Sequence, residues 1–205
     1  SNFANDYTDG IALQTIKLVF EWLEKSVKTA DPEAREKMHN ASTMAGMAFA
    51  NAFLGMSHSM AHKIGGVHHT VHGRTNAILL PYVIRYNGTR PSKTTTWPKY
   101  NYWKADEKFQ DIAKMLGLPH STPEEAVEAY AKAVYELGVA VGIKMNFKDQ
   151  GIDEKAWKDS LHEIALLAYE DQCSPANPRL PMVADMEEIM ADAYYGYAER
   201  PGRRK

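Results

Sequence analysis

The sequence predicts an all-α fold in which residues 1–205 form one bundle-like domain, and three observations support this prediction. Apolar residues recur at the helical spacing along most of the chain. No segment alternates convincingly between apolar and polar residues at the period of two that a strand shows. Patterns typical of helix starts occur at Asp31, Pro123 and Asp153. A chain of 205 residues is also long enough to bury a core.

The first part of the chain predicts three helices. The first runs from Thr8 to Lys28, where isoleucine, valine, phenylalanine and leucine side chains form one apolar stripe. The second opens at Asp31-Pro32-Glu33, which reads as an N-cap, a first-turn proline and a first-turn acid. Its small residues let a neighbouring backbone approach closely, so we expect a buried central helix. A short third helix starts at the candidate N-cap Ser57 and ends at Ile64. The small residues of the second helix are Ala41, Ala45, Gly46, Ala48 and Ala52.

The remaining helices follow the same reasoning. The fourth spans Arg74 to Tyr86, and Pro81 should kink it or mark the start of a new first turn. Residues 88–104 are expected to form a loop, because they hold a glycine, two prolines and three successive threonines. Residues 171–181 hold too many prolines for a helix, and the tail 200–205 should be frayed and solvated. Further helices are predicted over 105–116, 123–137, 153–170 and 182–195.

Composition and charge exclude several classes of protein. The 24 basic and 26 acidic residues give a net charge of -2, so the chain has no overall positive charge that would attract nucleic acid or an anionic membrane. Tyr100, Tyr102 and Trp103 lack the basic groove that base stacking needs. No apolar run approaches the ~20 residues that span a bilayer, and the N-terminus lacks the pattern of a signal peptide. Cys173 is the only cysteine, which suits a reducing cytosol. We therefore expect a globular cytoplasmic protein with no nucleic-acid or membrane partner.

Histidines are the main candidates for chemistry, since five of the eight lie between His58 and His72. Imidazole is a common ligand of zinc, iron, copper and nickel. His58 and His62 are four residues apart and share a face of a helix, while His72 follows a short break and approaches from another element. We predict a divalent metal site at these three residues, against the alternative of solvated or core histidines. A catalytic metal site usually has three or four protein ligands, so any missing ligand could come from a carboxylate such as Asp6 or Asp9, from another histidine or from residues outside this chain.

Other candidate residues favour structural roles. His68 and His69 are adjacent and point in different directions, so at most one faces the cluster. Cys173 has no base nearby in the sequence and is a poor candidate nucleophile. Asn177-Pro178-Arg179 places a guanidinium either at a functional surface or in a structural turn closed by a salt bridge. Tyr194-Tyr195-Gly196 is expected to end a helix and pack on its neighbours. The isolated histidines, expected to be surface or capping residues, are His39, His120 and His162.

Two consecutive runs of the chain carry a resemblance to a known family. They are Ala50-Asn-Ala-Phe-Leu-Gly-Met-Ser-His58-Ser-Met-Ala-His62-Lys-Ile-Gly and His72-Gly-Arg-Thr-Asn-Ala-Ile-Leu-Leu-Pro81. Both resemble the signature of iron-containing (group III) alcohol dehydrogenases and, more narrowly, the alcohol dehydrogenase part of bifunctional aldehyde–alcohol dehydrogenases. Asp171-Gln-Cys-Ser-Pro-Ala-Asn-Pro-Arg179 and Asp192-Ala-Tyr-Tyr-Gly196 match as well. The resemblance extends to about Gly196 and implies the C-terminal helical domain of the dehydroquinate-synthase-like fold.

The resemblance also implies roles for the clustered histidines. In that family an aspartate and three histidines hold the metal, and the last two match His58 and His72. His62 matches a residue implicated in proton transfer rather than in ligation. The aspartate, the first histidine and the nucleotide-binding domain would lie upstream of Ser1, so Asp6 and Asp9 are not expected to be ligands. The implied cofactors are Fe²⁺, for which Zn²⁺ could substitute because it accepts the same ligands, and NAD, bound mainly by residues outside this chain.

Three functional hypotheses follow from these observations. The first is the helical half of an NAD-dependent, iron-dependent alcohol dehydrogenase that interconverts a short-chain aldehyde, such as acetaldehyde, and its primary alcohol. The 205-residue chain alone is expected to be inactive. The second is a non-catalytic oligomerisation or structural fragment, since the resemblance implies a homo-oligomer and relatives that form filaments. The third, a free-standing metal-buffering bundle, would require further ligands among these 205 residues.

Overall fold

The computed structural model describes residues 1–91 and 103–196. Within these ranges the chain forms eight α-helices and one 3-10 turn, and no strand. The predicted all-α fold is therefore confirmed. Two predicted segments lie outside the described residues: most of the loop, at positions 92–102 with Tyr100 and Tyr102, and the tail 200–205. The elements are α1 (Asp6–Thr29), α2 (Pro32–Ala52), α3 (Met56–His68), α4 (His72–Gly88), α5 (Ala105–Met115), α6 (Pro123–Ala140), α7 (Glu154–Tyr169), the 3-10 turn Ser174–Ala176 and α8 (Val183–Tyr195).

Side-chain caps explain why the helix starts could be read from the sequence. The carboxylates of Asp31 and Asp153 each accept a hydrogen bond from the backbone N–H three residues further on, at 2.9 Å. Thr122 does the same before Pro123, at 3.2 Å. Each such cap satisfies a donor that would otherwise be free and stabilises its helix by about 1 kcal/mol. The three starts predicted at Asp31, Pro123 and Asp153 are confirmed.

The prediction that α2 is a buried central helix is wrong. α2 packs mainly along α1, and its buried residues Ala34, Ala41 and Ala48 recur every seven residues, which places them on one narrow seam. These small side chains let the backbone of α1 approach that of α2 closely along this seam only. Outside that seam α2 is largely exposed, and Met47 and Phe49, which flank the buried Ala48, are each 47% exposed. A small-residue seam therefore needs one neighbouring helix, not a surrounding core.

The main hydrophobic core lies between α3, α4, α7 and α8. Its centre is a stack of aromatic rings in which Trp157 lies 4.9 Å from Phe147 and 5.2 Å from Tyr194, measured between ring centroids. All three rings are almost completely buried, and each buried side chain of this size contributes on the order of 2–3 kcal/mol. Tyr194 also donates a hydrogen bond to the carbonyl of Ile152 at 2.9 Å, so the predicted packing role of the α8 end is confirmed.

A second apolar cluster holds α6 against α4 and α1. Ile84 of α4 meets Val127 and Tyr130 of α6, and Phe20 of α1 packs on the same group. At the end of α4, a Cβ on Gly88 would lie only 2.4 Å from a methyl carbon of Val127, so α4 and α6 approach closely there. Because α4 contributes to both clusters, its position is determined from two sides.

Several predicted boundaries move by a few residues. The third helix was expected from Ser57 to Ile64, but α3 runs from Met56 to His68 and its N-cap is Gly55. The fourth helix begins at His72 rather than at Arg74 and continues through Pro81. Within residues 1–91 and 103–196, no helix combines the length and apolar character needed to cross a lipid bilayer.

Candidate metal centre

The turn between α3 and α4 brings the clustered histidines together. α3 ends at His68, and its C-cap His69 has a left-handed backbone with a φ of 55°, which reverses the chain direction. The hydroxyl of Thr75 closes the turn: it donates to the Val71 carbonyl at 3.0 Å and lies 2.7 Å from the Thr70 hydroxyl, from which it can accept. α4 then starts at His72, beside the first turns of α3.

Three imidazole rings meet at this point. The ring centroid of His72 lies 5.3 Å from that of His58 and 5.3 Å from that of His62. The centroids of His58 and His62, one helical turn apart, are 6.0 Å from each other. The structure therefore places the three histidines singled out in the sequence in one triangular cluster, which we call the imidazole cluster.

The environment of His58 keeps its imidazole neutral. Burial, together with the neighbouring His72 and His62 rings, lowers the pKa of His58 to about 4. A neutral imidazole has a free lone pair on one nitrogen, which is the form that binds a metal ion. At neutral pH His58 can therefore act as a ligand without first losing a proton.

Asn76 connects the two helices beside His72. Its amide nitrogen lies 3.2 Å from Nε2 of His72, and its amide oxygen accepts a hydrogen bond from the Ser57 hydroxyl at 3.0 Å. Ser57, expected to cap α3, instead serves this link between α3 and α4. The His72 ring is thus held by a neighbour one turn along its own helix.

A buried carboxylate faces His62 from the segment between α7 and α8. Oδ2 of Asp171 lies 3.3 Å from Nδ1 of His62 and 2.9 Å from Nζ of Lys63. Burial alone would raise the pKa of this carboxyl, but hydrogen bonds from the Cys173 N–H, Lys63 and His62 outweigh it and lower the pKa to about 2. Asp171 is therefore ionised at neutral pH and orients Nδ1 of His62 toward itself.

A different donor set overlaps with the imidazole cluster. Ligand atoms of His62, Asp171 and Cys173 all lie within 4.8 Å of one another. Burial and the adjacent Asp171 raise the pKa of the Cys173 thiol to about 11, so the sulfur stays protonated and is a poor ligand or nucleophile. Asp171 is already paired with Lys63. The protonated thiol and the paired carboxylate therefore make this second donor set a poor metal site.

The other histidines lie away from the imidazole cluster. Nε2 of His68 is 3.0 Å from the Ser160 hydroxyl, and its ring packs 5.3 Å from that of Trp157. His120 bonds the Leu118 carbonyl at 2.7 Å. These contacts are structural, as expected from the sequence. His69 is the C-cap of α3. The exposed histidines of the set are His39, His69, His120 and His162, and His162 is bonded to Glu187 at 2.5 Å.

A cavity of about 660 Å³ opens beside the imidazole cluster. His58 contributes to its wall, and the cavity continues between the start of α3 and the start of α5. Its other lining residues include Phe53, Val83, Trp103, Lys108 and Phe109. This largely apolar hollow next to a candidate ligand has the character of a small-molecule site.

Sequence reasoning did not assign roles to two residues that support the imidazole cluster. Asp171 contacts His62 across 109 positions, and Asn177 bonds the start of α3 across 121 positions. Both belong to a segment that the resemblance had already matched, but local spacing carries no information on such distant contacts. For Arg179, the structure shows a hydrogen bond to the Tyr86 carbonyl at 3.0 Å and stacking on the Tyr86 ring, so the turn needs no salt bridge.

The fold and the imidazole cluster define the class of protein: an all-α domain that presents three imidazoles beside an apolar cavity. The model of the Fe-containing alcohol dehydrogenase family, C-terminal, matches residues 1–194. The chain belongs to this family.

Known proteins show how much of a longer polypeptide the chain corresponds to. It is 78% identical over 205 residues to the aldehyde-alcohol dehydrogenase of Streptococcus pneumoniae, covering 100% of this chain and 23% of that protein. Among solved structures, a 1,3-propanediol oxidoreductase superposes with a TM-score of 0.80 and 34% identity, over 94% of this chain and 46% of that chain. An iron-containing alcohol dehydrogenase from Thermococcus thioreducens superposes with a TM-score of 0.77 and 33% identity, over 95% of this chain and 46% of that chain. The chain thus spans under half the length of each of these proteins.

Proposed function

We propose that this chain is the metal- and substrate-binding helical domain of an NAD-dependent, iron-dependent alcohol dehydrogenase. The reaction would interconvert a short-chain aldehyde, such as acetaldehyde, and its primary alcohol. The observation that carries the proposal is the meeting of His58, His62 and His72 beside an apolar cavity. Family membership and the activities in the names of the relatives support it.

The residues present fit a divalent iron ion. His58 and His72 would hold it, because their ring centroids lie 5.3 Å apart and the low pKa of His58 keeps its imidazole neutral at physiological pH. Zinc accepts the same donors. When bound, the ion would supply Lewis acidity toward the oxygen of the substrate. The two remaining ligands and most of the nicotinamide site would lie outside these 205 residues.

His62 is suited to moving a proton between the imidazole cluster and solvent. Its ring stacks on that of His72, while 35% of its side chain is exposed. The Asp171 carboxylate accepts a hydrogen bond from Nδ1, which leaves Nε2 free to accept a proton from the hydroxyl of the substrate. We therefore assign His62 the role of general acid and base, not of ligand.

The proposal is tested with a polypeptide extended upstream to the length of the Streptococcus pneumoniae relative. NAD reduction with ethanol is measured anaerobically with ferrous iron, for the unchanged protein and for His58→Ala, His62→Ala and His72→Ala. We expect the two ligand variants to lose both bound iron and activity, whereas His62→Ala should keep its iron and lose turnover. Full activity in all three variants would refute the assignment.

An oligomerisation role is the second candidate, and the exposed apolar side chains of the α1–α2 hairpin favour it. Val27, Met47 and Phe49 are each about half exposed, and exposed apolar groups are typical of protein contacts. Light scattering coupled to gel filtration would show whether the chain forms a homo-oligomer, and Met47→Glu with Phe49→Glu should reduce its mass if the hairpin takes part in the contact. A cytoplasmic location and filament formation stay predictions.

A further inference from the structure

The helix that carries His58 begins without a cap of its own. Gly55, the N-cap of α3, has no side chain to bond the first backbone N–H groups, and Met56 is completely buried. An unsatisfied N–H at such a place would destabilise the helix start. Instead, Oδ1 of Asn177 accepts a hydrogen bond from the Met56 N–H at 3.2 Å, from 121 residues further along the chain.

The contact between Asn177 and Gly55 leaves no room for a side chain. A Cβ on Gly55 would lie 2.8 Å from Oδ1 of Asn177, which is closer than real Cβ contacts allow. The backbone of Gly55 has a φ of -140°, which any residue adopts. Glycine is therefore needed at position 55 because of the approaching amide, not because of backbone conformation.

The amide of Asn177 is held in one orientation. Its Nδ2 donates to Oδ1 of Asn87 at 2.7 Å and to the carbonyl of Arg179 at 2.6 Å, which uses both of its hydrogens. Asn177 and Asn87 are only 2% and 7% exposed, so water cannot replace these bonds easily. The oxygen of the amide must then face α3.

We propose that Asn177 is a positioning residue that sets the first turn of α3 and so the distance between His58 and His72. This inference rests on the proposed function of those two histidines as a metal-binding pair. His58 lies in that first turn, and its N–H bonds the carbonyl of Gly55 at 3.0 Å. If the tertiary cap is lost, the first turn can fray and carry His58 away from His72. His62, one turn further on, should keep its place.

The experiment measures binding of Zn²⁺ alone to the 205-residue chain by titration calorimetry. Asn177→Ala should weaken binding about tenfold, and Asn177→Asp should not recover the loss, because its carboxylate cannot donate to the oxygens of Asn87 and Arg179 and so is not held facing the Met56 N–H. Gly55→Ala should have the same effect as Asn177→Ala, since it displaces the amide from the other side. The double variant should bind no more weakly than Asn177→Ala, because the clash disappears with the amide.

Two controls separate positioning from general stability and from the proposed function. Val127→Ala lies in the second cluster, so it should lower the melting temperature without changing zinc affinity. If Asn177→Ala affects affinity no more than Val127→Ala does, the positioning role is wrong. His58→Ala should lower the zinc affinity of the chain more than Asn177→Ala does, because it removes one of the two proposed ligands. An unchanged zinc affinity in His58→Ala would instead show that the proposed metal site is wrong. Independent, additive losses for Gly55→Ala and Asn177→Ala would also overturn the inference.

Discussion

Replacing Asp171 by asparagine should change how the stability of this protein depends on acid. The side chain of Asp171 is 7% exposed and bonds Lys63 and His62. Burial opposes its ionisation, but the Cys173 N–H, Lys63 and His62 lower its pKa from 3.8 to about 2. Each unit by which folding lowers a pKa is worth about 1.4 kcal/mol, so ionised Asp171 contributes about 2 kcal/mol.

The sign of the effect follows from the direction of the pKa change. A carboxyl with a lowered pKa in the folded state stabilises that state fully above its ordinary pKa of 3.8, and the contribution is lost as the pH falls toward about 2. Wild type should therefore be more stable than Asp171→Asn at pH 7 and pH 5. The difference should shrink by about 2 kcal/mol between pH 5 and pH 2.

Urea unfolding followed by circular dichroism at pH 7, 5, 4, 3 and 2 measures this difference. Asp111→Asn, which removes an exposed carboxylate from α5, is the matched control. At every pH its free energy of unfolding should lie closer to that of wild type than the free energy of Asp171→Asn does. A gap between wild type and Asp171→Asn that stays constant from pH 7 to pH 2 would refute the reasoning, because the asparagine would then differ only in shape or packing.

Three further predictions test other parts of the structure. His72→Ala should weaken zinc binding measured by calorimetry, whereas His68→Ala and His69→Ala should not; equal losses in all three would contradict the assignment of His72. Trp157→Ala should destabilise the chain by about 3–5 kcal/mol in urea unfolding, since it empties the centre of the aromatic stack; a loss below 1 kcal/mol would show that the stack is unimportant. The 205-residue chain alone should show no ethanol-dependent NAD reduction with ferrous iron under anaerobic conditions, because the nicotinamide would not be held near the metal; turnover comparable to that of an extended polypeptide would show that the cofactor site was misplaced.

Helix positions could be predicted where the determining contacts are local. Asp31 and Asp153 bond an N–H three residues away, so the cap and the group it satisfies lie in one short stretch of sequence. Ser57 shows the limit of this reasoning. It has a capping residue type and lies close to a helix start, but its hydroxyl bonds Asn76 of α4. A serine near a helix start can cap that helix or bond a neighbouring helix, and the sequence alone does not show which partner the fold brings within reach.

The burial of α2 could not be predicted because it depends on how many neighbours the helix has. Ala34, Ala41 and Ala48 do form a close seam, as small residues suggest. The same pattern would serve a helix enclosed on all sides. Only the tertiary structure, in which α2 packs mainly along α1, decides that Met47 and Phe49 stay exposed.

The sequence by itself determined the helices, their capped starts, and the grouping of His58 and His62 on one face, since all of these depend on residues a few positions apart. It also indicated that His72 could return to the same point after a short break, because the turn between the two helices is brief. Only the tertiary structure decided that Asp171 orients His62 and that Asn177 caps the helix of His58. Those contacts join residues more than 100 positions apart, and their formation depends on the packing of α7 and α8 against α3, which no local pattern of residues encodes.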